Sequence, residues 1–288
     1  MICLFISNLN PFQSIKPMNS LLLLATIATL TLPTLFSQPA TAQSKSTVLT
    51  HGTMVADAKP TVEQLIDRAN SKVTAEDYRG AVEDYTLAIK MKPENLVDIH
   101  MMRGTAYMLM NDEKFAFTDF DQAIELAPND AKTYMVRAFF YGSNSPEKAI
   151  TDYNKAIQLS PKDAESYSRI AYIRVSQTKH SEAIKAFSQY LKLANSENIS
   201  QKDYADRGIS YHAIGDYKNA LADFNKSIEL EPLYASGYYR RALTYQAMGQ
   251  KQQALTNLKK ALEIYTGMPE FKDDPEVTEI KQKIKELE

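Results

Sequence analysis

Apolar side chains recur at helical spacing through most of this chain, and the clearest example lies in residues 207–232. The second half of that segment carries an apolar stripe at spacings of three and four residues, formed by Ala220, Leu221, Phe224, Ile228 and Leu230. A stripe with this period predicts an amphipathic helix. Gly215 is suited to end a preceding helix, Asp216 to begin the next one, and Pro232 to stop it. The segment therefore predicts two helices joined by a tight turn.

The same two-helix pattern occurs six times along the chain. Its most regular position is an alanine in the second helix of each copy: Ala81, Ala116, Ala149, Ala183, Ala220 and Ala254. Successive alanines are 35, 33, 34, 37 and 34 residues apart. The first helix carries a small residue, where we expect close helix approach, at Ala69, Gly104, Ala138, Ala171, Gly208 and Ala242. Helices this short are marginal alone in water, so each copy must pack against its neighbours.

Residues 60–266 resemble the tetratricopeptide repeat (TPR) family, because their period is near 34 residues and several positions of the repeat agree with it. The resemblance implies an all-α fold, a right-handed α-α superhelix (solenoid) of about six TPR units. Their expected bounds are 61–94, 95–129, 130–162, 163–195, 201–233 and 234–266. Leu65 and His100 stand where the family has tryptophan, so we expect the first two units to pack most loosely.

Residues 267–288 predict a C-terminal capping helix that opens at Pro275. Its apolar face is formed by Val277, Ile280, Ile284 and Leu287. Glutamate and lysine occupy the other positions, as expected of the solubilising end of an open repeat array.

The first 60 residues differ from the rest of the chain. Residues 21–36 form an apolar run that follows Lys16 and precedes Ala40-Thr41-Ala42, which is the pattern of a secretory signal peptide. The run is shorter than the roughly 20 residues of a membrane-spanning helix, so we predict cleavage after Ala42. Residues 1–42 are thus the predicted signal peptide and 43–60 a flexible linker. We take Met1 as the start, with Met18 as a second candidate.

Composition and motifs narrow the classes of function. A net charge of −2, with 24% charged residues, argues against a nucleic-acid binder. The single cysteine, Cys3, lies in the segment predicted to be removed, so no thiol remains for a disulfide or a metal. The sequence lacks the serine-nucleophile, zinc-protease and phosphate-loop motifs. We therefore predict no enzyme activity, no catalytic residue, no metal and no cofactor.

Arginine and an acid or amide recur together in the repeats. The arginines are Arg68, Arg103, Arg137, Arg207 and Arg241, and the second helices offer Asp84, Asp119, Asp152, Asp223 and Asn257. The fourth repeat has Ile170 and Ala186 instead. Because both polar residues are missing from the same repeat, we predict that each arginine pairs within its own repeat. A structural ion pair is favoured over a ligand site.

The family resemblance implies that first helices line a concave groove. On that basis we predict ten groove residues that contact a partner polypeptide: Asn70, Met101, Met102, Lys132, Phe139, Arg169, Tyr172, Lys202, Tyr239 and Arg240. Methionines adapt to several partners, and arginine with tyrosine is typical of interaction hot spots. Asn70 and Lys132 match the family's clamp for peptide carboxyl termini, but Ile66, Met102 and Val136 do not. We therefore do not expect recognition of a free carboxylate by that clamp.

The predicted function is a non-enzymatic scaffold or adaptor that binds another protein or peptide in the groove of the repeat array. The alternative is a self-associating structural protein or assembly factor, in which Leu255, Leu258, Leu262 and the terminal helix pack against another copy. No nucleic-acid or small-molecule partner is expected, and a membrane is involved only if the signal segment stays uncleaved. We predict an exported protein, in a periplasm, a comparable lumen or the medium.

Overall fold

The computed structural model describes residues 59–142, 144–268 and 275–288, and within these ranges it contains thirteen α-helices and no strand. The predicted signal peptide and residues 43–58 of the linker lie outside them. The chain divides into two compact units after residue 142. We call the described parts the N-terminal unit (59–142) and the C-terminal unit (144–268 and 275–288).

The helices follow the predicted repeats. In the N-terminal unit they are α1 (Val62–Thr74), α2 (Tyr78–Lys90), α3 (Leu96–Leu109), α4 (Glu113–Leu126) and α5 (Ala131–Tyr141). In the C-terminal unit they are α6 (Pro146–Leu159), α7 (Ala164–Ser176), α8 (His180–Leu193), α9 (Gln201–Ala213), α10 (Tyr217–Leu230), α11 (Ala235–Ala247), α12 (Lys251–Gly267) and α13 (Pro275–Leu287). Odd-numbered helices α1 to α11 are the first helices of the repeats, and even-numbered helices are the second helices.

The turns between first and second helices share one backbone feature. Seven residues after the small position, the chain enters the left-handed region at Glu76, Asn111, Thr178, Gly215 and Gly249, with φ of 62°, 61°, 57°, 81° and 73°. Glycine adopts this conformation without strain, whereas a β-branched residue such as Thr178 does not. The predicted role of Gly215-Asp216 is confirmed, because the Asp216 side chain accepts a hydrogen bond from the Asn219 backbone at 3.2 Å.

The small position of the first helix is where the two helices of a repeat meet. A Cβ atom on Gly208 would lie 2.9 Å from Cε1 of Phe224, and one on Gly104 would lie 2.7 Å from Cε1 of Phe120. The six recurring alanines of the second helices are all fully buried. The small residue of the first helix and the recurring alanine of the second helix therefore both lie at contacts between helices.

The expectation of loose packing in the first two repeats is wrong. Leu65 is only 2% exposed and packs with Ala69, Tyr85 and Ile99 in the core of the N-terminal unit. His100 is 9% exposed. Smaller side chains thus fill the tryptophan position without leaving it open.

The terminal helix packs as predicted. Val277 and Ile280 of α13 are buried in a cluster with Leu258 and Ile264 of α12, and Ile284 and Leu287 pack against its edge. The helix covers the apolar face that the last repeat would otherwise expose. It is the capping helix of the C-terminal unit.

Candidate partner-binding face

Three first helices, α1, α3 and α9, are each fixed to the second helix of their own repeat by a two-pronged arginine contact. Arg207 Nε donates to Asp223 Oδ2 at 2.8 Å and its Nη2 donates to Oδ1 at 2.7 Å. Arg68 with Asp84 and Arg103 with Asp119 repeat this geometry. The prediction that arginine pairs within its own repeat is confirmed for these three. Arg137 of the third repeat shows a contact to the preceding repeat, since its Nη1 donates to Asp121 of α4 at 2.6 Å.

The arginine contact varies in the fourth and sixth repeats. In the sixth, Arg241 Nε donates to Asn257 Oδ1 at 2.8 Å, so the guanidinium meets a neutral acceptor. Burial lowers the pKa of Arg241 from its usual value, because this site has no carboxylate. In the fourth, Ile170 packs against the apolar cluster that contains Ala186. The pair is therefore replaced there by an apolar contact, as the ion-pair interpretation expects.

The sequence did not predict that His100 also contacts the aspartate of one of these pairs. His100 Nδ1 lies 2.7 Å from Oδ1 of Asp119, the carboxylate that also accepts from Arg103. Because Asp119 is 2% exposed, its charge is held by both neighbours within the core. The histidine in the tryptophan position is a structural residue.

Within each unit, polar contacts also join the first helices of consecutive repeats. Lys132 of α5 bonds Asp98 of α3 at 3.1 Å in the N-terminal unit. In the C-terminal unit three further contacts link α7, α9, α11 and α13: Tyr172 to Asp203 at 3.3 Å, His212 to Thr244 at 2.9 Å and Arg240 to Glu276 at 2.6 Å. These contacts therefore join α3 to α5 in the N-terminal unit and α7 through α13 in the C-terminal unit, and the solvent-facing side of the first helices is the candidate binding face.

The N-terminal unit holds five of the ten predicted groove residues. Met101 is buried, with 1% exposed, and is a core side chain in this structure. Asn70 is half-buried and its Oδ1 accepts from the hydroxyl of Tyr85 at 2.6 Å. Met102, Lys132 and Phe139 are half-buried on the first helices. Four of the five thus keep surface on the candidate face.

The C-terminal unit holds the other five, and it brings several of them together. Tyr172 is half-buried, and the Lys202 ammonium lies 5.8 Å from the centre of its ring. Arg169 and Arg240 are also half-buried, paired with Glu165 at 2.9 Å and Glu276 at 2.6 Å. Tyr239 is only 1% exposed and belongs to the core. Four residues on α7, α9 and α11 therefore remain as candidate contacts.

A fifth residue of this face in the C-terminal unit was missed in the sequence. Asp206 occupies the same position of its repeat as Arg169 and Arg240, two residues before the small one. Its Oδ2 atom is buried and has no hydrogen-bond partner. The alternation of arginine, aspartate and arginine over three consecutive repeats is the signal that could have revealed it.

The electrostatics of the C-terminal unit centre on Asp206. Burial raises the pKa of its carboxyl to about 6, while Lys202, Tyr172 and Arg240 nearby hold it down. Burial also lowers the pKa of the His212 imidazole, helped by the charge of Arg240. The face thus combines fixed cations with a carboxylate that titrates near neutrality.

The surface proposed for self-association is covered by the chain itself. Leu258 is fully buried, Leu255 is 9% exposed, and Leu262 packs against the cluster under α13. The interpretation that these leucines meet a second copy is therefore wrong, because Leu258 and Leu262 pack in the cluster under α13 and Leu255 is buried within the chain.

Among residues 59–142, 144–268 and 275–288, no group of three or more histidine, cysteine or acidic side chains could hold a metal ion. Over the same part of the chain, none of the helices is long and apolar enough to span a membrane.

Comparison with protein families places two repeat models on this chain. One, described as "TPR repeat", matches residues 140–177 and 208–249. The other, described as "Tetratricopeptide repeat", matches residues 97–130, 164–197 and 235–266. No curated protein matches the chain.

Solved structures share the fold at low sequence identity. YrrB, a TPR protein titled as having an unusual peptide-binding site, has a TM-score of 0.58 at 19% identity, over 70% of this chain and 99% of YrrB. A tetratricopeptide repeat protein from Parabacteroides merdae has a TM-score of 0.54 at 19% identity, over 78% and 98%. PilF of Pseudomonas aeruginosa has a TM-score of 0.55 at 14% identity, over 74% and 95%. These likenesses show a shared all-α repeat fold.

Proposed function

Because this chain belongs to the tetratricopeptide repeat family, we propose that it is a non-enzymatic adaptor that binds a partner polypeptide along its first helices. TPR folds typically mediate protein–protein interactions. The likeness to YrrB supports a peptide ligand, since that protein is titled for its peptide-binding site.

The observation that carries the proposal is the composition of the face in the C-terminal unit. Arg169, Tyr172, Lys202 and Arg240 are half-buried there, on first helices whose other sides form the core. Arginine and tyrosine dominate interaction hot spots because they combine a large apolar area with directional hydrogen bonds. Side chains held by neighbours, as Arg240 is by Glu276, lose little conformational freedom on binding.

The test is a comparison of captured proteins. The tagged wild-type chain, produced in its own source and purified with its partners, is compared with an Arg169/Tyr172/Arg240 triple alanine variant. We expect the variant to lose a protein that the wild type retains. The matched control is a triple alanine variant of exposed lysines on second helices of the same unit, Lys185, Lys218 and Lys251.

The control distinguishes the loss of the binding face from a general loss of positive charge. It removes three cations without touching the first helices, so it should capture the same protein as the wild type. Equal capture by all three chains would show that this face does not bind the partner.

We further propose that the adaptor acts after export, with residues 1–42 removed. The basic, apolar and small-residue order of this segment supports the proposal. Mass spectrometry of the protein from its source should give the mass of residues 43–288. A mass that includes residues 1–42 would contradict cleavage.

A further inference from the structure

A half-buried carboxylate on the binding face has one oxygen atom that is shielded from solvent and receives no hydrogen bond. The Oδ2 atom of Asp206 is shielded from solvent and has no hydrogen-bond donor. No lysine or arginine nitrogen of the described residues lies within 4.0 Å of its carboxylate. An unpaired buried charge is costly, so proteins rarely keep one without a use.

The surroundings of Asp206 come from three first helices. The groups that act on it are Lys202 and Asp203 on α9, Tyr172 on α7, Arg240 on α11 and Tyr234 in the turn before α11. Asp206 is therefore at the centre of the candidate face and in reach of a polypeptide that lies across α7, α9 and α11.

Most of the neighbouring charges are already matched. Asp203 accepts from the backbone nitrogen and the hydroxyl of Ser200, each at 2.8 Å. Arg240 Nη2 is paired with Glu276 at 2.6 Å, while the Arg240 Nε atom is buried and makes no hydrogen bond. Lys202 lies over the Tyr172 ring and does not come within ion-pair distance of Asp206.

The two cations that act on Asp206 leave its Oδ2 atom without a donor. Lys202 and Arg240 attract the carboxylate electrostatically, but neither lies within 4.0 Å of it. The partner that completes this site is a cation with hydrogen-bond donors. Tyr172 and Tyr234 stand beside the carboxylate, and tyrosine rings attract guanidinium and ammonium groups.

We propose that Asp206 receives a lysine or arginine side chain of the bound polypeptide, beside Tyr172 and Tyr234. The inference rests on the proposed function and adds two details to it: the ligand is positively charged, and Asp206 recognises that charge. The basic side chain pairs with the half-buried Asp206 carboxylate and neutralises its charge. The partner segment therefore has a basic residue at one required position.

The proposal carries a pH dependence of known sign. Only ionised Asp206 attracts a cation, and burial raises its pKa to about 6 in the free protein. Binding is then strongest above about pH 6 and weakens as the pH falls below it. Burial raises the pKa of Tyr172 and Tyr234, so these hydroxyls stay neutral. His212 on the same helix has a lowered pKa and titrates in the acidic range as well, and the Asp206→Asn variant separates its effect from that of Asp206.

The experiment uses a random peptide library displayed on phage as the probe. The full chain is immobilised at about pH 7.5 as the wild type, as Asp206→Asn, and as Glu229→Gln, which changes an exposed carboxylate on α10. We expect the wild type and Glu229→Gln to enrich peptides with lysine or arginine at one shared position. Asp206→Asn should enrich peptides without that requirement.

A synthetic copy of an enriched peptide measures how much the basic residue contributes to the affinity. Replacement of its basic residue by norleucine should weaken binding to the wild type about 30-fold or more, since it leaves a buried carboxylate unpaired. The same replacement should change binding to Asp206→Asn by less than about threefold. Affinity for the original peptide should fall between about pH 7.5 and 5 for the wild type and stay level for Asp206→Asn.

The outcomes separate this inference from the proposed function. Enriched peptides that lack a shared basic position, or that carry an acidic one drawn to Lys202 and Arg240, would overturn the role of Asp206 and leave an adaptor in place. A shared basic position selected equally by Asp206→Asn would also overturn it. A wild-type chain that enriches no peptide at all would count against both.

Discussion

The ion pair between Arg207 and Asp223 offers the sharpest test of how these repeats are held together. Two short hydrogen bonds join the groups at 2.8 and 2.7 Å, Asp223 is 5% exposed, and the Arg207 side chain is 18% exposed. The fourth repeat has isoleucine and alanine in these positions, Ile170 and Ala186. The chain itself thus supplies a natural double substitution to copy.

We predict the effect of Arg207→Ile, Asp223→Ala and the two changes together on the free energy of unfolding. Loss of the arginine leaves a buried carboxylate and should cost about 3 kcal/mol. Loss of the aspartate leaves a guanidinium that is partly solvated and should cost about 2 kcal/mol. The double variant should cost about 3 kcal/mol, less than the sum, because the second change removes the charge that the first left unpaired. The coupling energy is then about 2 kcal/mol.

The measurement is denaturant unfolding followed by far-ultraviolet circular dichroism at neutral pH. Single effects that add to within about 0.5 kcal/mol would refute a coupled pair. The sixth repeat provides a reciprocal check, because Arg241 meets Asn257 there. Asn257→Asp should give the buried guanidinium a carboxylate and stabilise the chain by about 1 kcal/mol.

Three further predictions concern stability. Gly208→Val should lower stability by about 2 kcal/mol, seen as a lower Tm in calorimetry, because even a Cβ atom would lie 2.9 Å from the Phe224 ring; an unchanged Tm would contradict that contact. Thr178→Gly should raise stability by about 1 kcal/mol in denaturant unfolding, because Thr178 has a φ of 57°; no gain would mean that the turn is unstrained. Burial raises the pKa of Asp206 from 3.8 to about 6, so the folded chain keeps a proton that the unfolded chain loses and stability falls as the pH rises between these values. Asp206→Asn should therefore be more stable than the wild type at about pH 7.5 and no more stable at about pH 4; equal urea midpoints at both pH values would contradict this.

The fold could be predicted because its signals are periodic and local. The alanine column of the second helices, the turn at Gly215-Asp216 and the helix that opens at Pro275 each follow from spacing and turn chemistry alone. The pairing of Arg207 with Asp223 followed from comparison between repeats. A repeated interaction places the same pair of residue types in several repeats. The one repeat that lacks both residues shows that they interact with each other.

The binding face was harder to predict, because exposure depends on the neighbouring helix. Met101 and Tyr239 stand on first helices like the other candidates, yet each is 1% exposed. The helical period of the sequence places a side chain on a side of its helix but does not show how deeply the next helix covers it. Asp206 was missed for the same reason, since its missing partner is visible only when the surrounding groups are in place.

The arginine contact described for Arg68, Arg103 and Arg207 has one more consequence. Its carboxylate lies within the same repeat as the arginine, sixteen residues along the chain, while the Nη1 atoms of Arg103 and Arg207 also donate to Thr86 and Ser188 of the preceding repeat. Gain or loss of one whole repeat would therefore change these second acceptors but leave each of the three guanidinium groups with its own carboxylate. The number of repeats in such an array can therefore change without leaving one of these arginines unpaired with a carboxylate. This allows the number of repeats to be adjusted to the length of the bound polypeptide.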